Sequence, residues 1–301
     1  MYNFILIGAA GYIAPRHMQA IKETGNKLLA AYDPFDSVGI LDSYFPDADF
    51  FTEFERFDRH VDKLRRKGIR IDYASICSPN YLHDAHIRFA LRIGANAICE
   101  KPLVLNPWNV DALADLENES GRSIFNILQL RLHPSVIALK EHFERNLISD
   151  KPDIKLHYIT SRGKWYHHSW KGDIQKSGGI ATNIGIHFFD MLLWIFGDLK
   201  QLEVHQHDQF TAAGTLELEK ANVNWLLSVD EKLLPEDCIS SGKRTFRNIE
   251  INGELFEFST GFTDLHTASY RHILEANGFR VSEVKKSIEL VAAIRKFYRP
   301  I

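Results

Sequence analysis

The sequence predicts an α/β chain in two parts: a doubly wound parallel sheet, then an α+β domain built on a large, mostly antiparallel open sheet. Three observations predict it. Up to about residue 122, short wholly apolar runs alternate with helical segments, the pattern of strands buried on both faces of a parallel sheet. Beyond residue 150 strands dominate, and their apolar residues alternate with polar ones as on a sheet covered on one face. The length of 301 residues at 45% hydrophobic composition suits about two domains. The expected division is 1–122 and 123–301.

Each element of the first part has a local signal. Phe4-Ile5-Leu6-Ile7 is an apolar run that ends in Gly8-Ala9-Ala10-Gly11. Pro15 suits a first helical turn, and Met18 and Ile21 follow at helical spacing until Gly25-Asn26. Leu28 to Tyr32 is a second strand closed by Asp33-Pro34, and Ile71 to Cys77 a third, closed by Ser78-Pro79-Asn80. A helix over about 83–93 leads to the strand Ala95 to Cys99, then Glu100-Lys101-Pro102, and Asn106-Pro107 opens a helix that runs to Gly121. Lys63 to Lys67 reads as the solvated face of another helix.

In the second part Ile124 to Leu130 reads as a strand and Pro134 to Phe143 as a helix. Ile154 to Thr160, Leu202 to His207, Thr215 to Glu219 and Ala221 to Asp230 follow as strands. Within the last, Ala221, Val223, Trp225, Leu227 and Val229 share one face, the pattern of a half-buried antiparallel strand. Asn252-Gly253 between two apolar stretches signals a type I′ hairpin. Val281 to Phe297 keeps Val284, Ile288, Val291 and Ile294 in phase as a helix expected to pack on the first domain or on its own sheet.

Composition excludes several classes. Thirty-six Lys and Arg against 39 Asp and Glu give a net charge of −3, so no global basic field holds nucleic acid or an anionic membrane. Cys77, Cys99 and Cys238 lie far apart, which argues against a zinc ribbon or disulfide framework and suits the reducing cytoplasm. The first fifteen residues carry no charge but lack the basic n-region and longer apolar stretch of a signal peptide. Asn183, His187 and Asp190 interrupt the apolar stretch Ile180 to Gly197, so a membrane span is not expected. The 14 histidines are scattered without H-x-x-x-H spacing, which leaves a metal site unexpected.

A dinucleotide loop needs glycines between strand and helix so that the backbone can approach the pyrophosphate at the helix N-terminus. Here the turn reads Gly8-Ala9-Ala10-Gly11-Tyr12-Ile13-Ala14, with a first interval one residue longer than in G-x-G-x-x-G. A buried strand precedes it, a helix follows, and Asp33 ends the second strand where a ribose-binding acid belongs. That carboxylate repels a 2′-phosphate, so the expected cofactor is NAD. The alternative is a tight loop with Asp33-Pro34 in an ordinary turn.

Lys101 lies after a strand at the carboxyl edge of the sheet, where such folds hold ligands. Asn183 and His187 are four apart on a segment led by Gly178-Gly179, so they share a helix face that the flanking apolar residues enclose. Singly, the lysine is a solvated charge and the histidine a satisfied core residue; together they point to chemistry. Arg162, Lys164, Tyr166, His167 and His168 cluster after a strand of the second part and suit a diphosphate or carboxylate, the alternative being a solvated loop. Arg131 and His133 are similar candidates, with a structural ion pair as the alternative.

With these residues in hand, the chain resembles the Gfo/Idh/MocA oxidoreductases over essentially its whole length. The likeness rests on the Gly8 loop, Ser78-Pro79-Asn80, Glu100-Lys101-Pro102 and Gly178-Gly179 through His187. Within that family it is similar to the UDP-N-acetylglucosaminuronate 3-dehydrogenases of the WlbA or WbpB type. Five segments carry this: Gly8 to His17, Tyr32-Asp33-Pro34, Gln129 to Pro134, Arg162 to Tyr166, and Asn183 to His187. The resemblance implies a Rossmann domain in which Gly8, Ala10, Gly11, Tyr12 and Ile13 bracket the pyrophosphate and Asp33 holds the ribose. It also implies that Ser78, Asn80 and His83 line the nicotinamide side and that Glu100 and Lys101 border the reacting centre.

Many relatives carry Asp where this chain has Asn183, and an amide suits a substrate with its own carboxylate. The implied activity is oxidation of the 3-hydroxyl of a UDP-N-acetyl-glucuronic acid in lipopolysaccharide O-antigen biosynthesis. His187 or Lys101 would act as base, and Lys101, Arg131, Arg162, Lys164, Tyr166, Asn183 and His187 would face the substrate. The alternatives are a dehydrogenase of a simple sugar, inositol or polyol, and a regulator that kept the fold without chemistry. Exposed Phe256 and Phe258 on the second sheet, with the resemblance, imply a homodimer or homotetramer.

Overall fold

The structure is a computed structural model that describes residues 1–145, 150–257 and 264–300. The first elements are β1 (Asn3–Ile7), α1 (Ala14–Glu23), β2 (Lys27–Tyr32), α2 (Ile40–Tyr44), β3 (Asp49–Phe51), α3 (Phe54–Arg66) and β4 (Tyr73–Ile76). Next come α4 (His83–Arg92), β5 (Asn96–Cys99), α5 (Pro107–Ser120), β6 (Ile124–Asn126), α6 (Pro134–Arg145), β7 (Asp153–Thr160), α7 (Trp165–His168) and α8 (Ile174–Ser177). A π-helical turn (Ala181–Gly185) then feeds α9 (Ile186–Phe196), followed by β8 (Leu199–His207), β9 (Thr211–Leu218), β10 (Asn222–Ser228) and α10 (Glu236–Ser240). The chain ends through β11 (Thr245–Ile251), β12 (Glu254–Leu255), α11 (Leu265–Leu274) and α12 (Val281–Arg295).

Two compact units result, residues 1–129 with 263–285, and residues 130–262 with 286–301. The first unit therefore extends past the expected boundary at 122 and takes in a later segment, because α11 buries Tyr270 and Ile273 in the same apolar cluster as Phe4, Leu6, Met18 and Ile21. Thr267 of α11 also donates to Glu23 of α1 at 2.8 Å. Neither link has a signal local in sequence.

The first unit is a parallel sheet of order β3-β2-β1-β4-β5-β6, with a topological switch between β1 and β4. Phe4, Ile5, Leu6 and Ile7 have no exposed surface, as a central strand covered on both faces requires. Gly121 closes α5 in the left-handed conformation (φ 62°). Asn106 takes the N-cap position of α5 without a side-chain capping hydrogen bond, so the helix start rests on Pro107. The expected strand Ile124 to Leu130 is cut to Ile124–Asn126. Asn126 Nδ2 donates to the carbonyls of Cys99 and Glu100, which holds the chain at the end of β5 before a 3₁₀ turn over Gln129–Leu132.

The second unit's sheet has order β12-β11-β7-β10-β9-β8 and is antiparallel except between β7 and β10. The expectation for β10 is thus met on its β9 side only; alternation reports which face is buried, not which way the neighbour runs. Trp225 and Leu227 are buried on β10, where Phe189 of α9 packs edge-on to Trp225 at 5.3 Å. Asn252 and Gly253 both have positive φ between β11 and β12, as a type I′ turn needs. Phe256 is half-buried rather than exposed, and Phe258 lies outside the described residues.

One segment among the described residues, Ile174–Phe196, is long and apolar enough by length and composition to cross a membrane. Of its most apolar 18 residues 72% are buried inside the fold, and the positive φ of Gly178 and Gly179 interrupts its helix.

Candidate active site

The cofactor loop is shaped by the end of β2. Gly8 and Ala9 donate backbone N–H groups to the carbonyl of Tyr32, and Ala10 donates to Asp33 Oδ2 at 2.9 Å. Asp33 Oδ1 accepts from Phe35, so the buried carboxylate is clamped at the strand end. Ala10 therefore serves the loop's own geometry, its amide being held by Asp33. Gly8 sits at φ 94°, and a Cβ there would lie 2.6 Å from the backbone of Cys77 and Ser78, so no other residue fits. Gly11 donates to Gly8 and accepts from Ala14, which closes the turn into α1. Among the described residues, no hydrogen bond is accepted from the amides of Tyr12 and Ile13 at the mouth of α1. Open amides at a helix N-terminus, a glycine cradle and a carboxylate at the β2 end fit a dinucleotide.

The next three expected cofactor residues are more internal than their sequence suggests. Ser78 Oγ pairs with His86 Nδ1 at 2.8 Å. His83 is fully buried, with Nδ1 2.6 Å from the carbonyl of Pro102 and Nε2 2.8 Å from that of Ser78. Burial pushes the basicity of His83 down while the two carbonyls pull it back. The ring thus fastens the loop after β4 to the loop after β5, and it lines no surface. Asn80 is buried at the start of a short 3₁₀ turn, Asn80–Leu82.

Glu100 and Lys101 follow β5, and Lys101 is half-buried. The Glu100 carboxylate turns inward. Its Oε1 lies 2.9 Å from both His17 Nε2 and His266 Nε2, and its Oε2 accepts the backbone N–H of Lys101 at 3.2 Å. His17 Nδ1 is 2.8 Å from Tyr270 Oη, which is 2.6 Å from Ser75 Oγ. The sequence reading missed His17, His266 and Tyr270 as a group. Two signals were available: His17 takes an apolar-phase position beside Met18 and Ile21 on α1, and His266 and Tyr270 are one turn apart on α11. Although no metal site was expected, the ligand atoms of His17, Glu100 and His266 lie within 4.8 Å of one another. Their 2.9 Å separations are those of hydrogen bonds.

In the second unit Asn183 stands in the π-helical turn and His187 in the first turn of α9. Both are half-buried, so the face they share is the open side of an otherwise buried segment and not the enclosed one expected. Asn183 Nδ2 donates to Tyr166 Oη at 2.8 Å. Tyr166 is only 2% exposed, which makes it a support for Asn183 rather than a surface for substrate, while Arg162, Lys164 and His168 are exposed and His167 is half-buried.

Arg131 needs the largest correction. Its Nε and Nη2 each donate at 2.9 Å to the carboxylate of Asp190 on α9, with the two side chains 6% and 3% exposed. This is the structural ion pair, and the guanidinium fork is turned into the unit. His133 is buried beside it, its Nδ1 accepting from the backbone of Ser135.

Comparison with known proteins agrees with both units. The family description "oxidoreductase family, NAD-binding Rossmann fold" (GFO_IDH_MocA) matches residues 2–127, and that family's C-terminal α/β domain matches residues 152–241. The chain is 52% identical to the WlbA (WbpB) dehydrogenase from Thermus thermophilus in its complex with NAD and alpha-ketoglutarate, covering 99% of this chain and 96% of that one with TM-score 0.95. The complex of that dehydrogenase with NAD and UDP-GlcNAcA matches at 51% identity, over 98% and 95% of the two chains, with TM-score 0.94. Among curated proteins, the putative UDP-kanosamine synthase oxidoreductase subunit of Amycolatopsis mediterranei is 28% identical, over 62% of this chain and 52% of its own length. The chain spans about half the length of the curated relatives it matches.

Proposed function

The chain belongs to the Gfo/Idh/MocA oxidoreductase family, and from that premise we propose that it oxidises the 3-hydroxyl of a UDP-N-acetyl-glucuronic acid. The observation that carries this reading is the 51% identity, over 98% of the chain, to a Thermus dehydrogenase whose complex holds NAD and UDP-GlcNAcA. NAD, when bound, supplies the hydride acceptor. Asp33 would hold the adenosine ribose, with its charge disfavouring a 2′-phosphate, and the amides of Tyr12 and Ile13 would face the pyrophosphate.

His187 would take the hydroxyl proton while Lys101 holds the oxygen and stabilises the charge that develops there. Asn183, held by Tyr166, would donate to the substrate carboxylate, and the exposed Arg162 and Lys164 would meet the diphosphate. The relative's complex with alpha-ketoglutarate supports a 2-oxo acid as a second ligand. A cytoplasmic homodimer or homotetramer feeding lipopolysaccharide synthesis accords with this reading.

The test is the ultraviolet spectrum of the purified protein. Absorbance of reduced nicotinamide should rise on adding UDP-GlcNAcA and fall again on adding alpha-ketoglutarate, while simple sugars and inositols leave it flat. Lys101→Ala and His187→Ala should each lower turnover by at least ~10² with NAD still bound, the size of a general acid-base contribution. Near-normal turnover in the Lys101 variant removes that residue from the chemistry, and a response to inositol alone replaces the substrate.

A further inference from the structure

We propose that Ser75, Tyr270 and His17 form a one-way chain of hydrogen bonds ending on Glu100. Together with His266, this chain keeps the carboxylate ionised as the anchor and counter-charge of Lys101. His17, His266 and Tyr270 are then positioning residues that act through Glu100, and the proposal rests on the reading of Lys101 given above.

The direction follows from counting protons. An ionised carboxylate can only accept, so the two rings that meet Glu100 Oε1 at 2.9 Å both carry hydrogen on Nε2. In a neutral His17 ring Nδ1 is then an acceptor, and the atom 2.8 Å away, Tyr270 Oη, must donate to it. Having given its hydrogen to His17, Tyr270 Oη accepts from Ser75 Oγ at 2.6 Å. Every hydrogen in the chain has one place, and all of them point toward Glu100.

Burial makes this ordering count. Ser75, His17 and Tyr270 have no exposed surface, Glu100 is 7% exposed and His266 is 5% exposed. Burial pushes His17 toward its neutral form, with Glu100 pulling the other way, and pushes the Tyr270 phenol well above its usual range. For Glu100 burial alone would raise the pKa, but the hydrogen bonds from His17 and His266 outweigh it and hold the carboxyl well below its usual range. The other titratable groups facing Glu100 are the thiols of Cys77 and Cys99, which burial and the carboxylate push well up, and His83, which burial pushes down. The cluster thus holds a buried negative charge, and Lys101 is tied to it by its own backbone N–H.

The arrangement also has a mechanical side. His17 lies in the first turns of α1, whose N-terminus closes the cofactor loop, while Ser75 belongs to β4 and Tyr270 and His266 to α11. The chain therefore fixes the helix behind the dinucleotide loop and the residue after β5 to one carboxylate. A displacement of either one is felt by the other.

The test uses the full-length protein without any sugar. The pH midpoint of Lys101 is read from competitive amine labelling by mass spectrometry, and the His17 tautomer from imidazole nitrogen resonances. Wild type should show His17 with hydrogen on Nε2 alone. Glu100→Gln should lower the Lys101 midpoint by about one pH unit, the size produced by losing an adjacent opposite charge. His17→Leu should do the same, while His17→Gln, whose amide still donates, should restore it. Tyr270→Phe, which removes one hydroxyl and keeps the packed ring, should leave His17 with hydrogen on Nε2, which the carboxylate alone requires; His17→Leu and His17→Gln carry the test if Glu100→Gln does not fold.

With UDP-GlcNAcA, Glu100→Gln and His17→Leu should lose about tenfold in kcat with KM little changed, as small misplacements of a reacting group do, and His17→Gln should recover the rate. A Lys101 midpoint identical in wild type, Glu100→Gln and His17→Leu overturns the proposal, as does a His17 ring with hydrogen on Nδ1. Absence of turnover with any sugar overturns the assigned activity instead, because labelling and tautomer need no substrate.

Discussion

Replacing Asp190 by Asn decides whether Arg131 holds the fold or the substrate. The pair is bidentate, both bonds are 2.9 Å, and the side chains are 6% and 3% exposed, so neither charge has water to fall back on. Asn keeps the volume and one acceptor but turns an NH₂ toward a guanidinium that can only donate. Removing one partner of such a pair costs about 3–5 kcal/mol, against roughly 0–1 kcal/mol for surface pairs such as Arg66 with Asp62. At an m-value of about 2–3 kcal/mol/M in urea, the midpoint of the second unit should fall by roughly 1–2 M. Intrinsic fluorescence reads that unit well, since Trp165, Trp170, Trp194 and Trp225 lie in it and Arg131 stacks over Trp194 at 5.8 Å. Replacing both partners by apolar residues of similar size should recover most of the loss, since the cost lies in the charge left alone. An Asp190→Asn protein with an unchanged midpoint but no affinity for UDP-GlcNAcA would refute the argument and return Arg131 to the substrate.

Three further outcomes are expected. Gly8→Ala places a Cβ 2.6 Å from the Cys77 and Ser78 backbone at φ 94°, so stability should drop by about 2–4 kcal/mol and NAD affinity at least about tenfold; calorimetry showing neither removes the cradle argument. His86 is lowered to about 4 by burial first and by His83 second, so its folded-state pKa lies below its unfolded one. Its contribution is whole above about pH 6.5 and is lost as pH falls toward 4, costing about 2 kcal/mol by pH 5. Urea midpoints at the two ends of that window should converge in His86→Gln, and an unchanged acid limb would clear His86. Tyr166→Phe takes away the oxygen that holds Asn183, about 1 kcal/mol, so KM for UDP-GlcNAcA should rise roughly fivefold with kcat near normal. A loss confined to kcat would place Tyr166 in the chemistry.

What was legible in the sequence follows the range of the interaction that signals it. Phe4 to Ile7, the glycines after it and Asp33 at the end of β2 are all specified within a few residues of chain, and each lies where the reading put it. The hairpin at Asn252-Gly253 is legible for the same reason, since only a few residue types accept positive φ there. The parallel neighbour of β10 was not legible, because the side-chain pattern of a strand carries no information on the direction of the next one. Nor was the place of α11, whose apolar residues could have faced either sheet until Tyr270 met Phe4 and His17.

The polar site divides along the same line, with consequences for charge. Glu100 meets His266 across 166 residues, His17 meets Tyr270 across 253, and Arg131 meets Asp190 across 59, and no motif spans such gaps. A sequence reading therefore counts each of these as an available charge or ligand, whereas folding has already matched them. The resemblance implies that Lys101, Arg131, Arg162 and Lys164 are the cations that face a substrate carrying a diphosphate and a carboxylate. With Arg131 matched by Asp190, the cations of the second unit that remain on that list are the exposed Arg162 and Lys164, where pairing with an anion is screened and individually weak. Affinity for a diphosphate sugar should accordingly be strongly salt-dependent. Raising ionic strength from about 0.05 to about 0.5 M should raise KM for UDP-GlcNAcA severalfold and leave NAD affinity, which the proposed reading assigns to open amides and a buried carboxylate, much less changed. A substrate KM indifferent to salt would mean that the diphosphate is met by buried groups, and that the exposed pair is a solvated loop after all.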